Sequence, residues 1–316
     1  MKRIITFFLC LALMLPAFIS CAGGEEKQGK IKVVCTIFPQ YDWIRNIIKD
    51  TEGVSLSLIV QSGSDMHSYQ PTVKDCAEIA SADIFVQVGG QSDAWADEFI
   101  SNSAKEGVQV ISLLELLGDD ALELSHNEHK EHAHGDECVK DEHVWLSLKN
   151  AVLFCNAVCE ALCRADPDNA EKYRDNNSTY TYALDMLNSK YEALSQSSEN
   201  KFLLFADRFP FGYMTRDYGI DYYAAFEGCS AESEAGFETV LALAQALDER
   251  ELDSLMILEG SDDKLARTVI ENSSRKNCKI IVLNSMQSVS RADIDNGQTY
   301  LKIMESNYHA LEGALK

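Results

Sequence analysis

Basic residues are scarce in this chain: 28 Lys and Arg stand against 50 Asp and Glu, a formal charge of -22. A field of that sign repels nucleic acid and draws cations, so a DNA- or RNA-binding role is excluded. Catalytic signatures are missing as well. No Gly-x-Ser-x-Gly elbow occurs, and the nearest approach, GCSAE from Gly228, lacks the closing glycine. HKEH at His129 is not the His-Glu-x-x-His of a zinc-protease helix, and there is no glycine-rich phosphate loop. These absences argue against an enzyme. Cys-x-x-Cys pairs are absent too, although ten cysteines are present. Cys155, Cys159 and Cys163 recur every fourth residue, which stacks them on one helix face. With Val152 and Leu162 around them they read as small buried hydrophobes rather than thiolate ligands. So many unpatterned cysteines in an exported chain imply weakly oxidising surroundings, or disulfides that spacing does not assign.

Export is written at the N-terminus. Lys2 and Arg3 precede an apolar run over residues 4–19, followed by Ser20-Cys21-Ala22-Gly23-Gly24, the layout of a secretory signal. The run contains Pro16 and is shorter than the ~20 apolar residues a membrane span prefers. Ser20 before Cys21 resembles a bacterial lipobox, with Phe18 where that pattern usually has Leu. Cys21 is then the expected lipidated first residue of the mature chain. Loss of Lys2 and Arg3 leaves 26 basic residues against the same 50 acids, an excess of 24 negative charges.

Five of the seven histidines fall between residues 126 and 143. His126, His129, His132 and His134 sit among acids and glycine with no apolar stripe, so residues 125–140 read as a solvated metal-capturing loop. His143 differs, because it opens the apolar run Val144-Trp145-Leu146 that belongs to a packed body. Ahead of it, strands are expected at 33–38, 54–60, 84–88 and 108–113 with helices between them. Such alternation argues a parallel sheet with helices on both faces. His67 lies just past the second strand, at the rim where open parallel sheets bind ligands. A helix at 148–163 breaks at Asp166-Pro167. Tyr173, Tyr180, Leu184, Leu187, Tyr191 and Leu194 then mark one amphipathic helix of roughly 25 residues, ~40 Å long, suited to a strut. The second half repeats the pattern, with strands at 202–205, 221–226, 252–258 and 278–283 and a closing helix at 298–315.

The fold expected is therefore α/β, with two lobes that each carry a parallel sheet flanked by helices. One long rigid helix joins them, and a ligand sits in the cleft. The expected boundaries are a signal at 1–20, a tether at 21–30, a first lobe at 31–165, the linking helix at 166–198 and a second lobe at 199–316.

Several stretches resemble one family, the solute-binding lipoproteins of bacterial ABC importers for zinc and manganese. VVCTIFPQYDWIRNI looks like its opening strand and helix, and GQTYLKIMESNYHAL like its closing helix. GSDMHSYQPTVKD is similar to its first-ligand motif, which implies a metal ligand at His67. DEHVWLSL matches the second motif, implying His143. FGYMTRDYGI resembles the aromatic segment after the third ligand, which the family supplies as His or Glu. Here ADRFPFGYM carries one extra residue, and Asp207 is the candidate. Arg208 is not one, since a guanidinium has no free lone pair. Asn284 stands where manganese members have Asp, and Glu259 where the family also has Glu. The resemblance implies an exported capture protein, lipid-anchored through Cys21 at the outer face of the cytoplasmic membrane. It would act as a monomer, deliver its ion to a cognate ABC permease and do no chemistry on it. Two imidazoles and the histidine loop favour Zn2+. Mn2+, or iron, is the alternative, because oxygen donors suit harder ions. A surface adhesin using metal only for structure is an alternative of another class. A metallohydrolase would need a general base beside an open coordination position.

Overall fold

The computed structural model describes residues 31–49, 51–61, 63, 65–103, 106–124, 139–228 and 235–315. The leader, the tether with Cys21, and the loop histidines His126, His129, His132 and His134 lie outside these residues. Strand and helix alternate from the start: β1 (Ile31–Cys35), α1 (Phe38–Ile48), β2 (Val54–Leu58), α2 (Val73–Ala80), β3 (Ile84–Gln87), α3 (Ala94–Ser103), β4 (Gln109–Ser112) and α4 (Leu113–Leu117). Turn chemistry sets several boundaries. Pro39 opens α1, and the buried Gln40 side chain accepts from the Thr36 and Ile37 amides at 2.9 and 3.2 Å. Thr72 and Asp75 form a reciprocal capping box on α2.

Two helices follow without an intervening strand, α5 (Leu148–Ala165) and α6 (Ala170–Ser197). The latter has 28 residues, about 42 Å at 1.5 Å per residue. The second half contains β5 (Phe202–Phe209), α7 (Gly212–Tyr218), β6 (Asp221–Glu227), α8 (Phe237–Glu249), β7 (Ser254–Leu258), α9 (Lys264–Asn272), β8 (Lys279–Leu283), α10 (Arg291–Asp295) and α11 (Tyr300–Ala314). All the strands pair in parallel. The orders are β2-β1-β3-β4 and β6-β5-β7-β8, one topology used twice. The repeat read from the element pattern is thus a repeat of strand order.

Both faces of each sheet are covered, which explains why the strands read as unbroken apolar runs. Val33 and Cys35 of β1 face a central core, while Val34 faces an outer one. Leu203 and Phe205 of β5 join the same central core, and Phe202, Leu204 and Ala206 a third cluster. The central core runs continuously through both sheets, α5, α6 and α11, with Trp43, Phe154, Tyr173, Tyr191, Phe205 and Tyr300 at most 2% exposed. Ile31–Lys316 accordingly forms one compact unit. Cys155, Cys159 and Cys163 lie buried in that core and are unbridged, so they pack as hydrophobes. Burial pushes the Cys155 thiol up, which keeps it protonated. Among the described residues no helix is long and apolar enough to cross a membrane.

Candidate metal centre

The two histidines singled out by sequence meet. His67 Nε2 lies 3.2 Å from His143 Nε2. His67 sits on a single 3-10 turn, Met66–Ser68, beyond the end of β2. The buried Met66 side chain anchors this turn, and Asp65 caps it by accepting from the His67 amide at 3.0 Å. His143 precedes the turn Val144–Leu146, whose apolar side chains are all in the core. Ser147 then caps α5 by accepting from the Asn150 amide at 3.0 Å. His143 is thus fixed between packed residues, only 2% exposed, while the His67 side chain retains 24% of its surface.

Each imidazole is oriented from behind. His143 Nδ1 lies 2.6 Å from the carboxylate of buried Asp141, which also accepts from the His143 amide at 2.9 Å. His67 Nδ1 lies 2.5 Å from Ser92 Oγ, and the Ser92 hydroxyl donates to Glu142. A carboxylate only accepts, so the Ser92 proton is committed to Glu142 and its oxygen must accept from His67 Nδ1–H. Both rings therefore hold their proton on Nδ1, and two Nε2 lone pairs face each other. Such an arrangement repels itself unless a proton or a metal cation lies between. For Zn–N bonds of about 2.05 Å at a tetrahedral angle, the two nitrogens should lie about 3.3 Å apart. The observed gap fits a divalent ion.

Two glycines make this backing fit. A Cβ on Gly90 would lie 2.2 Å from Glu142 Oε1, and one on Gly212 would lie 2.8 Å from Asp141 Oδ2. Tyr213 adds a further brace, its hydroxyl donating to the Asp141 carbonyl at 2.8 Å.

The other three candidate ligands lie on the rim of the second sheet, with their oxygens engaged. β5 runs past the expected residue 205, and a bulge between Phe205 and Arg208 adds one residue opposite β6. Asp207 occupies that bulge. Its carboxylate accepts from the Arg208 amide at 2.8 Å and the Leu258 amide at 3.0 Å, standing in for the interrupted ladder. Glu259 follows β7 and accepts from the Ser285 amide and hydroxyl, both at 2.7 Å. Burial raises its pKa above the ordinary 4.5. Asn284 follows β8, where its Oδ1 accepts from the Met286 amide at 2.8 Å. The structure brings together His67 and His143. Among the described residues no group of three or more His, Cys, Asp or Glu is placed to hold one ion.

Asp65, Ser92, Asp141 and Glu142 carry the site's geometry, and sequence reading missed all four. The two acids immediately before His143 were the available signal. Ser92, 25 residues from His67, offered none. Arg208 also reaches the site, its guanidinium pairing at 3.0 Å with the Asp65 carboxylate that caps the His67 turn.

The family model described as the periplasmic zinc-uptake complex component A matches residues 33–314. A zinc-binding lipoprotein of Streptococcus pneumoniae serotype 4, AdcA, is 28% identical over 310 residues, covering 96% of this chain and 60% of that protein. The chain thus spans under two thirds of the length of that relative. The Bacillus subtilis high-affinity zinc uptake system protein ZnuA is 29% identical over 300 residues, covering 94% of this chain and 91% of that one. Among solved structures, the metal-dependent lipoprotein YcdH of Bacillus subtilis superposes with a TM-score of 0.76 at 26% identity. The match covers 91% of this chain and all of that one.

Proposed function

The chain belongs to the family of periplasmic zinc-uptake components, and from that membership we propose that it captures a divalent ion, zinc above all, outside the membrane. The ion is handed to an ABC permease, and no reaction is performed on it. The observation that carries this reading is the pair of Nε2 lone pairs 3.2 Å apart, each imidazole fixed by an acceptor at Nδ1. His67 and His143 supply two ligands from imidazole, a donor that suits zinc better than manganese. Asp207, Glu259 and Asn284, on the rim of the second sheet, are the further ligand candidates, their oxygens also accepting from backbone amides. The four histidines at 126–134 add weaker sites, since ordering a polar loop costs about 1–2 kcal/mol per residue fixed. Cys21 supplies the lipid anchor.

Equilibrium titration of the purified mature protein with zinc, and then with manganese in competition, tests the reading. One tight zinc ion per chain is expected, with manganese displaced. His67→Ala and His143→Ala should each lower affinity at least ~100-fold with the fold intact, because a zinc site draws most of its energy from its direct ligands. Wild-type affinity in either variant would refute cleft capture.

A further inference from the structure

His67 is held from both sheets at once. Its ring is backed from the first, by Ser92 beyond β3, with Oγ 2.5 Å from Nδ1. The backbone of its turn is held from the second. Asp65 uses both carboxylate oxygens: Oδ1 accepts from the His67 amide at 3.0 Å, and Oδ2 accepts from Arg208 Nη1 at 3.0 Å. Arg208 is placed in turn by the bulge of β5, where the Asp207 carboxylate accepts from the Arg208 amide at 2.8 Å. A second tie runs beside this one. The Arg291 amide, at the start of α10, donates to the Gln61 carbonyl at 3.0 Å. Gly63, at φ +68°, lies so close that a Cβ there would meet the Ser288 carbonyl oxygen at 3.0 Å. The segment that carries His67 leaves a strand of the first sheet, yet residues 61, 63 and 65 all rest on chain from the second.

We propose that Arg208 is a positioning residue for metal capture: through Asp65 it fixes the His67 turn from the second sheet, so that the His67 Nε2 meets the ion in register with that of His143. The proposal rests on the zinc-capture reading. Arg208 acts at one remove, since a guanidinium has no free lone pair for a metal. With side chains 35% and 25% exposed, the Arg208–Asp65 pair adds little to global stability. Its leverage is local. A single 3-10 turn has few bonds of its own, and affinity falls in proportion to the fraction of molecules whose turn is misplaced.

Zinc affinity of the mature protein, measured by competition with a chromophoric chelator, tests this. Arg208→Leu and Asp65→Asn should each weaken zinc about 10-fold, the low end of what groups behind a metal ligand supply. The asparagine amide has one acceptor oxygen where the aspartate uses two, so it serves the His67 amide or Arg208 at the expense of the other. Both changes cut the same link, so the double variant should bind no more weakly than either single one. The bond to Asp65 runs from one nitrogen, which a lysine ammonium can replace, so Arg208→Lys should restore most of the affinity. Urea unfolding of the metal-free variants should keep the wild-type midpoint, which separates positioning from a damaged fold. Hydrogen exchange of metal-free Arg208→Leu should quicken at amides 65–69 and stay unchanged at 143–151. Wild-type affinity in Arg208→Leu would overturn the proposal, as would losses that add in the double variant or a lysine that restores nothing. Absence of zinc binding in the wild type would sink the capture reading instead, and exchange at amides 65–69 would still decide whether Arg208 holds the turn.

Discussion

Replacing Asp141 separates orientation from ligation, because this residue touches His143 and not the ion. Its Oδ1 accepts from both the His143 amide and Nδ1, at 2.9 and 2.6 Å, and the residue is 4% exposed. In Asp141→Asn the amide oxygen must keep facing these two donors, so the ring keeps its tautomer and loses only the charge of its partner. The expected effect lies at the low end of the 10- to 100-fold typical for groups behind a metal ligand, about 1.4 kcal/mol. Asp141→Ala removes both acceptors. The ring can then take either tautomer, and affinity should fall by about 100-fold, or 2.8 kcal/mol. Loss of the Asp141 acceptor from the buried His143 amide also costs about 1–3 kcal/mol of stability. Chelator competition measures the first quantity, and urea unfolding of the metal-free protein the second. If Asp141→Asn binds zinc like the wild type, the charge behind the ring contributes nothing; if Asp141→Ala binds no worse than Asp141→Asn, the side chain does not hold the ring.

Gly90→Ala places a Cβ within 2.5 Å of the Glu142 carboxyl carbon, so Glu142 must leave Ser92 and His67 loses its backing. Zinc affinity should drop about 10-fold, and an unchanged affinity would remove the Ser92–Glu142 link from the account. Burial pushes the Asp93 carboxyl from 3.8 up to about 6, with nearby Glu142 adding to the effect. A carboxyl raised in the folded state stabilises most below its unfolded pKa, and that contribution is lost as pH rises through the folded value. The wild type should therefore lose about 2 kcal/mol relative to Asp93→Asn between pH 4 and 7; urea unfolding that shows a constant gap between the two proteins would refute this. In hydrogen exchange of the metal-free protein, amides 65–69 should exchange quickly and amides 143–151 slowly. Zinc should slow the first group, and equal protection of both segments before zinc is added would contradict a fixed His143 and a looser His67.

The fold was legible because its strands are buried on both faces. VVC, IFV and LMIL announce such strands without any alternation to confuse the reading, and the tyrosines and leucines of α6 mark its buried stripe at helical spacing. What composition could not show was that both sheets press on one core. That depends on Trp43, Phe154 and Tyr300 meeting across more than 250 residues, with ring centroids 5.8 and 5.3 Å from Trp43. At the site, the paired histidines were readable because each lies beside its own motif. The bulge at Asp207 was readable only as one surplus residue. Whether a surplus carboxylate turns toward the cleft or back onto the Leu258 amide is decided by strand pairing. Local sequence does not encode that choice.

An ion that enters and leaves needs one half of its seat to move. Separating the two sheets would break the Trp145 indole bond to the Ser285 carbonyl at 2.9 Å and the Tyr300 hydroxyl bond to the Trp145 carbonyl at 2.6 Å. It would also expose two rings that are at most 1% exposed. At ~200 Å² each and ~25 cal/mol per Å², that exposure alone costs on the order of 10 kcal/mol. A whole domain is held by about 5–15 kcal/mol, so wide opening is too expensive to be the working motion. The His67 turn is three residues long and held by the buried Met66, the Asp65 cap and Ser92. It is the less buried half of the seat, and His143 is the fixed post. Exchange of the ion therefore calls for no more than a shift of this short turn, which Arg208 braces through Asp65.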